Sequence, residues 1–561
     1  MNRIRNYGFC ILLVMVGFGP AAVAAAIEDD PARDSVPPNV LPVVILQGSD
    51  YQMGVQYGSQ ACAYIGQQRE AKWAAALQRM SREQVLRGLK INQGFVEKYT
   101  PEWIDFMRGM ADGATAAGFP ADFTDIMLLN CTLPDPESPV PPEAGKGALP
   151  EKQCSVASAW GGAVKGGGLI GIDTLDTSDV MPGVVIVAFP DKGNAYMCAA
   201  GAGEIGDHFL MNNKGFFLGN SGGGDSPRPE DSGYGICWSC SLPYLVRFSD
   251  TAFEARDRIM RWRINTPENF HFVDVRGNAC VVEKTTAAQA VRKPGEFGEK
   301  DFMYSTNTYL CRDMKATKKG DFQGAHGGFG TYSSPRNMMI WDMLHNYRGQ
   351  IDVEFAKMIL RFPGNPPPTP PAGGWGAMYC RPTNLWTAVV TPDDGDKGEA
   401  RISTGPAGRI LHASIAFDGT VMTPTYRYTA GTHTFYRLRL AKNPVEVVKA
   451  ADKAAEEEIS AAYGKLMVLN YGDRGYEGLK SLYGKAVAEL FEGRKAFAKA
   501  ILAGGDQALA LHGRAASLFA RAQAHALEVF EALAPPPTNP SALGLRPFGG
   551  DWAVWETLIG K

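Results

Sequence analysis

The spacing of apolar residues passes from helical to alternating at Cys154, and that change limits what this chain can fold into. Over 61–117 the apolar positions recur mostly at helical spacing, with breaks expected near Gly94 and Pro101, and 122–130 adds another turn or two. Residues 134–150 then carry six prolines among acids and glycines, the composition of an exposed loop. From Cys154 the period becomes 2. The run Q-C-S-V-A-S-A-W, a glycine turn and a second apolar run into Asp173 and Asp176 outline a β-hairpin that opens on a cysteine. Further strands are expected over 184–189, 195–200, 208–211, 215–218, 270–274 and 279–283, and again over 387–391, 409–416 and 432–438. A helix over 251–265, capped by Thr251 or Asp250, interrupts them. The pattern is that of a two-sheet α+β body with helices leading it and inserted between strands. Residues 444–534 are rich in Ala, Glu, Lys and Leu at helical spacing, enough for three or four helices covering one flank of the core.

The N-terminus belongs to none of this. Arg3 and Arg5 precede an apolar run from Tyr7 to Phe18, and Ala22-Val23-Ala24 offers a small-residue cleavage site. That is the form of a secretory signal peptide, too short in its apolar core for a membrane span. A secreted or periplasmic protein is the expectation, with no transmembrane segment after the leader. The net charge of −3 gives no reason to expect nucleic acid. Nine of the ten cysteines lie beyond the leader, an odd number, so at least one thiol stays unpaired in an oxidising compartment.

Several motifs suggest chemistry, and their contexts separate them. Gly219-Asn220-Ser221-Gly222-Gly223 matches the serine-hydrolase pattern G-x-S-x-G. A trypsin-like order needs a histidine far upstream, yet the first histidine of the chain is His208, and no helix pattern follows Ser221. A glycine turn between strands is the expectation there. Cys237-Trp238-Ser239-Cys240 lacks the surroundings of a redox dithiol and reads as a local disulfide or two packed thiols. Neither C-G-S-C-W nor H-E-x-x-H occurs, and the eight histidines are scattered, so no metal site is expected. The G-x-G-x-x-G stretches from Gly166 and from Gly201 open no helix and read as turns, so no cofactor is expected.

Cys154 is left, and its difficulty is activation. A thiol becomes a strong nucleophile only when something accepts its proton, and no histidine lies near it in sequence. The bland alternative is a buried cysteine at the start of a strand. If the Gln153–Cys154 bond were cut, the freed α-amine, which titrates near pH 8, would sit beside its own sulfur and could act as the base. The proline-rich stretch ahead of Cys154 is where such a cut is topologically easy.

Separated pieces of the chain, in order, resemble the N-terminal-nucleophile hydrolases of the acyl-coenzyme A:6-aminopenicillanic acid acyltransferase group, peptidase family C45. The pieces are Gly48, Gly54 and Gly58; Gly109, Ala111 and Gly113; Asp125, Leu129 and Asn130; and the hairpin from Cys154-Ser155 through Ala159-Trp160-Gly161 to Asp173 and Asp176. Asp274 and Gly277 with Glu283, Asn307, and Ser333-Ser334-Pro335-Arg336 complete them. The resemblance implies a four-layer αββα sandwich, self-cleavage before Cys154, and attack of Cys154 on an amide or thioester carbonyl to form an acyl-enzyme. It implies that Asp173 or Asp176 supports the nucleophile, that Asn307 orients it or supplies an oxyanion donor, and that Arg336 orients the acid or binds substrate. Asn220 is a further oxyanion candidate. Gln153 stands where the family often has glycine, Asp176 lies further from the cysteine than expected, and the helices after Pro444 fall outside the match.

The expected organisation is a signal peptide over 1–24, a helical leader over 25–153, a sandwich core over 154–440, a helical extension over 441–535 and a tail over 536–561. The expected function is an exported, self-processed cysteine amidohydrolase or acyltransferase for small-molecule or lipid-like N-acyl substrates, whose two fragments stay together. The alternatives are a phospholipase B-like lipid hydrolase on the same fold and a secreted binding protein without catalysis.

Overall fold

The structure, a computed structural model, describes residues 40–133, 153–176, 181–223, 233–315, 334–362, 384–404, 433–467 and 476–534. The signal peptide, the proline-rich stretch, Ser333, Cys380, the strand expected over 409–416 and the C-terminal tail lie outside these. Strand β1 (Val43–Gly48) leads into helices α1 (Asp50–Gln60), α2 (Cys62–Leu77), α3 (Arg82–Tyr99), α4 (Glu102–Ala116) and α5 (Phe123–Leu129). Strands β2 (Gln153–Trp160), β3 (Leu169–Asp176), β4 (Gly183–Pro190), β5 (Tyr196–Gly201), β6 (His208–Asn212) and β7 (Phe216–Gly222) follow. Helices α6 (Trp238–Phe248) and α7 (Ala252–Ile259) precede β8 (Glu268–Asp274), β9 (Ala279–Lys284), β10 (Gln289–Arg292) and β11 (Phe302–Thr306). After them come α8 (Arg312–Lys315), α9 (Ser334–Asn346) and α10 (Val353–Arg361), then β12 (Asn384–Thr391), β13 (Gly398–Ser403) and β14 (Tyr436–Leu440). Three long helices finish the order: α11 (Pro444–Leu466), α12 (Tyr476–Leu502) and α13 (Gly505–Leu533).

The strands form an eight-stranded sheet, ordered β1-β4-β5-β6-β7-β8-β9-β10, and a six-stranded sheet, ordered β11-β2-β3-β12-β13-β14. Among the described strands, β1 and β4 alone pair in parallel; the leader thus supplies an edge strand to a sheet built otherwise from later residues. Side-chain alternation sorts each sheet into two faces. Cys154, Val156, Met197, Ala199, Phe217 and Val281 fill the space between the sheets. On the far side of the eight-stranded sheet, Val184, Ile186, Leu218 and Phe272 pack against α1 to α7. On the far side of the six-stranded sheet, Ala157, Ile170 and Ile172 pack against α9 and α10. The layers are helix, sheet, sheet, helix, the αββα sandwich expected, with a C-terminal helical extension.

Helix α13 closes the sandwich along one side. The free edge of strand β1 donates from Val43 N to Ser517 Oγ at 2.8 Å. Edge strand β14 is met by Gln523, whose Oε1 accepts from Arg437 N at 2.8 Å and whose Nε2 donates to Arg437 O at 3.1 Å. Helix α13 therefore contacts an edge of each sheet, while Gln56 and Gln60 of α1 bond Gln47 and Ile45 along the rest of β1, so both edges are covered against pairing with another chain.

Helices α1 and α4 lie so close that only glycine fits between them. A Cβ on Gly54 would sit 2.0 Å from Phe106 O, on Gly58 2.1 Å from Met110 O, and on Gly109 2.2 Å from Tyr51 O. Three local expectations are corrected and one helix is added. Gly94 does not break the helix but lies inside α3, while the break comes at residues 78–81. Helix α7 ends at Ile259, six residues short of the expected 265, although Thr251 caps it by accepting from Glu254 N. Gly219–Gly223 is not a turn: residues up to Gly222 belong to strand β7, and Ser221 Oγ donates to Thr306 O at 3.0 Å. The Cys237–Cys240 stretch begins helix α6, a helix masked in sequence by the internal Pro243.

Candidate active site

Strand β2 places Cys154 at its second residue, and the register with β3 decides which acid lies near it. Cys154 pairs with Leu175, Val156 with Asp173 and Gln153 with Asp176. Directly opposed residues share a face, so Asp173 lies on the Cys154 face one diagonal step away, and Asp176 on the other face with Ser155. Asp176 is held there by Asn384, whose Nδ2 donates to its Oδ1.

Cys154 is 4% exposed, and its backbone rather than its sulfur carries most of its bonds. The backbone N–H donates to Asn307 Oδ1 at 2.8 Å. Arg336, wholly buried at the start of α9, donates from Nη1 to Cys154 O at 2.8 Å and to Ser155 Oγ at 2.7 Å. Its Nη2 reaches the same Asn307 Oδ1 at 2.9 Å. Asn307 Nδ2 in turn donates to Gly222 O at 3.3 Å, which fixes which way the amide faces. Two residues far apart in sequence, Asn307 and Arg336, thus converge on the Cys154 backbone, and Gly222 fixes the first of them.

The sulfur has a partner that sequence spacing did not suggest. His208 Nε2 stands 4.0 Å from Cys154 Sγ, the outer limit of a thiol contact. Its Nδ1 is 3.1 Å from Asp173 Oδ1, and Asp173 Oδ2 accepts from Phe209 N at 2.7 Å. Asp207 Oδ1 lies 3.6 Å from His208 Nε2, while its Oδ2 is buried with no hydrogen-bond partner among the described residues. Alternation along β6 would have sent His208 outward with Leu210. Instead β6 carries one more residue than β5 between the pairs Met211–Met197 and His208–Ala199, and Phe209 adopts φ 40°. The bulge and the left-handed residue turn both His208 and Phe209 into the space between the sheets.

The charges follow from this burial. Burial disfavours a cation at His208, but Asp207 and Asp173 outweigh it and hold the imidazole well above the usual histidine range. Burial raises the Cys154 thiol, and His208 pulls against that rise. Burial also raises Asp173, again opposed by His208.

Of the residues expected at the site, Cys154, Asn307 and Arg336 touch one another directly, and Asp173 joins through His208. Asp176 sits behind the strand. Asn220 is a correction: it pairs with Phe270 on the helix-facing side of the eight-stranded sheet, away from Cys154, and its Oδ1 has no partner among the described residues. No alternation argument could have found His208, because a bulge cancels alternation; the only sequence cue was a lone histidine preceded by an acid in a glycine-rich turn. The eight described cysteines all carry free thiols.

No protein-family model matches the chain. An uncharacterized protein of Archaeoglobus fulgidus is 28% identical over 361 residues, 56% of this chain and 57% of that protein, so the chain spans little more than half of the relative's length. Among solved structures, the Caenorhabditis elegans orthologue of N-acylethanolamine-hydrolyzing acid amidase overlaps at TM-score 0.30 and 14% identity, covering 43% of this chain and 93% of that one. Penicillin V acylase from Agrobacterium tumefaciens gives 0.30 and 13%, covering 45% and 83%. A mutant conjugated bile acid hydrolase from Clostridium perfringens gives 0.30 and 12%, covering 45% and 89%. With overlaps this low, fold and chemistry rest on this chain's own residues.

Proposed function

We propose that the protein is an exported cysteine hydrolase of the N-terminal-nucleophile kind, cut before Cys154 and acting on amide-linked acyl groups. The observation that carries this is the cradle around the Cys154 nitrogen. Asn307 Oδ1 accepts from that nitrogen at 2.8 Å and is itself fixed by Arg336. A strand residue needs only a ladder partner there, and a buried arginine that bonds Cys154 O, Ser155 Oγ and the amide holding the Cys154 nitrogen is costly to place unless that corner of the strand has a task. Freed by cleavage, the nitrogen becomes an amine whose remaining lone pair can face the sulfur while Asn307 holds one of its protons. The amine takes the thiol proton, the sulfur adds to the substrate carbonyl carbon, and the nitrogen of the substrate leaves with that proton. Water then releases the acyl group from the thioester.

A second reading is favoured by one observation: the line Cys154, His208 and Asp173, with its 4.0 and 3.1 Å contacts, has the composition of a thiol triad in an uncut chain. The two readings differ in one variant. With N-acyl amino acids, N-acylethanolamines and penicillins as substrates, Cys154→Ala should remove turnover under both. Only under the first should Cys154→Ala also leave the chain uncut where the wild type is cut. Turnover retained by Cys154→Ala would move the nucleophile elsewhere.

A further inference from the structure

We infer that His208 takes the Cys154 thiol proton while the chain is still uncut, which makes it a catalytic residue of self-cleavage. This rests on the reading above that the chain is cut before Cys154. The amine that serves as base in the cut protein does not exist beforehand. Until the Gln153–Cys154 bond breaks, that nitrogen is an amide with no lone pair to accept a proton, and Asn307 already holds its N–H. The first cut therefore needs a different base. Among the described residues, the one ring nitrogen in contact with the sulfur is His208 Nε2, at 4.0 Å.

The surroundings of His208 suit that task. Facing it are Cys154 from β2, Asp173 from β3 and Asp207 from the approach to β6. With the Nδ1 proton directed to Asp173 Oδ1, the Nε2 lone pair is left toward the sulfur. The Asp207 carboxylate at 3.6 Å from Nε2 favours a proton there. The ring is held by two independent restraints: Asp173 bonds both the imidazole and the Phe209 N–H, and Phe209 is kept at φ 40°. A phenylalanine in the left-handed region is strained, and such strain persists where the surroundings enforce it. Asp173 and Asp207 are positioning residues in this scheme.

The step balances as follows. The thiol proton passes to His208 Nε2 and the sulfur bonds to the Gln153 carbonyl carbon. The carbon–nitrogen bond then breaks, and the departing Cys154 nitrogen takes the proton back from His208. The product is a thioester between the Gln153 carbonyl and Cys154 Sγ with a free α-amine. One water hydrolyses it to the Gln153 carboxylate and the Cys154 thiol. Because His208 must be neutral to begin, the cut should quicken as pH rises through the ionisation of His208, above the usual histidine range.

The test follows the appearance of the 408-residue fragment after cell-free synthesis of the full chain, for wild type, His208→Gln and Asp207→Asn. His208→Gln should slow the cut about 10²- to 10⁴-fold, the usual worth of a positioned base. Asp207→Asn should move the pH limb of the cut to lower pH, since removing the anion makes His208 less basic. A third form replaces residues 150–153 with a recognition sequence for a site-specific protease, so that Cys154 can be exposed without self-cleavage. There, the otherwise unchanged chain cut by the protease should turn over N-acyl substrates, so that turnover is read apart from the self-cleavage step. Cutting of His208→Gln at the wild-type rate overturns the inference but leaves the N-terminal-nucleophile reading intact, as does an unshifted limb in Asp207→Asn. A wild type that is never cut removes both.

Discussion

At the scale of single residues, the site is a contest between burial and pairing. Cys154, Asp173, Asp207 and His208 are all nearly removed from water, and each would be unfavourable alone. They are tolerated as a group because two carboxylates face one imidazole. His271 shows the opposite case on the same inner face. It contacts Ser158 Oγ at 2.7 Å, has no carboxylate beside it among the described residues, and burial with Arg292 nearby lowers it to about 3. In the unfolded chain it would titrate near 6.5, so below that pH the unfolded state binds a proton the folded state refuses. Stability from this group is thus whole above pH 6.5 and is lost as pH falls toward 3. Urea unfolding of wild type and His271→Gln should show the wild type losing roughly 2–3 kcal/mol more between pH 6.5 and 4.5. Equal losses in both proteins would contradict it. The candidate residues were legible in sequence where motifs carried them: Cys154 and Asp173 lie on strands β2 and β3, Asn307 follows β11 and Arg336 begins α9. His208 was not, because its direction is set by a bulge and a left-handed phenylalanine rather than by alternation.

At the scale of elements, contact distance decides what each glycine does. Gly58 lies where α1 touches α4, and a methyl group there would meet the Met110 carbonyl at 2.1 Å. Neither backbone can yield without moving a helix, so Gly58→Ala should cost about 2 kcal/mol or more. Gly94 sits within α3 with nothing within 4 Å of its would-be Cβ. Gly94→Ala should therefore stabilise by about 0.5–1 kcal/mol. Thermal unfolding of the two variants should shift in opposite directions; a shift of the same sign would refute this view of the α1–α4 contact. The contrast also explains which helix boundaries could be read from sequence. A glycine in a helical stretch signals a break or a close approach, and only the partner helix shows which. Short strands such as β10 and β11 escaped notice because four or five residues give alternation too little length to show.

At the scale of the whole molecule, the C-terminal helices are part of the sandwich's closure. Arg437 of edge strand β14 has its N–H and C=O bound by Gln523, and β1 donates to Ser517. Gln523→Leu would keep the apolar volume and leave two buried backbone groups unpaired, at about 1–3 kcal/mol each. Hydrogen exchange in that variant should quicken at β14 while β5 and β8, in the middle of the other sheet, stay protected. Uniform exchange across both sheets would instead mean that α13 contributes to global stability alone. The sequence marked this region as helical and as covering a flank, but the pairing of α13 with both sheet edges depends on residues 43, 437, 517 and 523, which no local pattern relates. The two-sheet layering, by contrast, was visible in the change of period at Cys154.

That change of period is also where the account is most exposed to test. The cradle of Asn307 and Arg336, the neighbouring His208, and the position of Cys154 at the head of β2 gain their meaning from a cut between Gln153 and Cys154. N-terminal sequencing and intact mass of the purified protein address it directly. The account predicts a 408-residue fragment beginning Cys-Ser-Val-Ala at Cys154, held in a complex with the preceding piece, and its absence in Cys154→Ala. A fully active protein made of one unbroken chain through Gln153–Cys154 would contradict it.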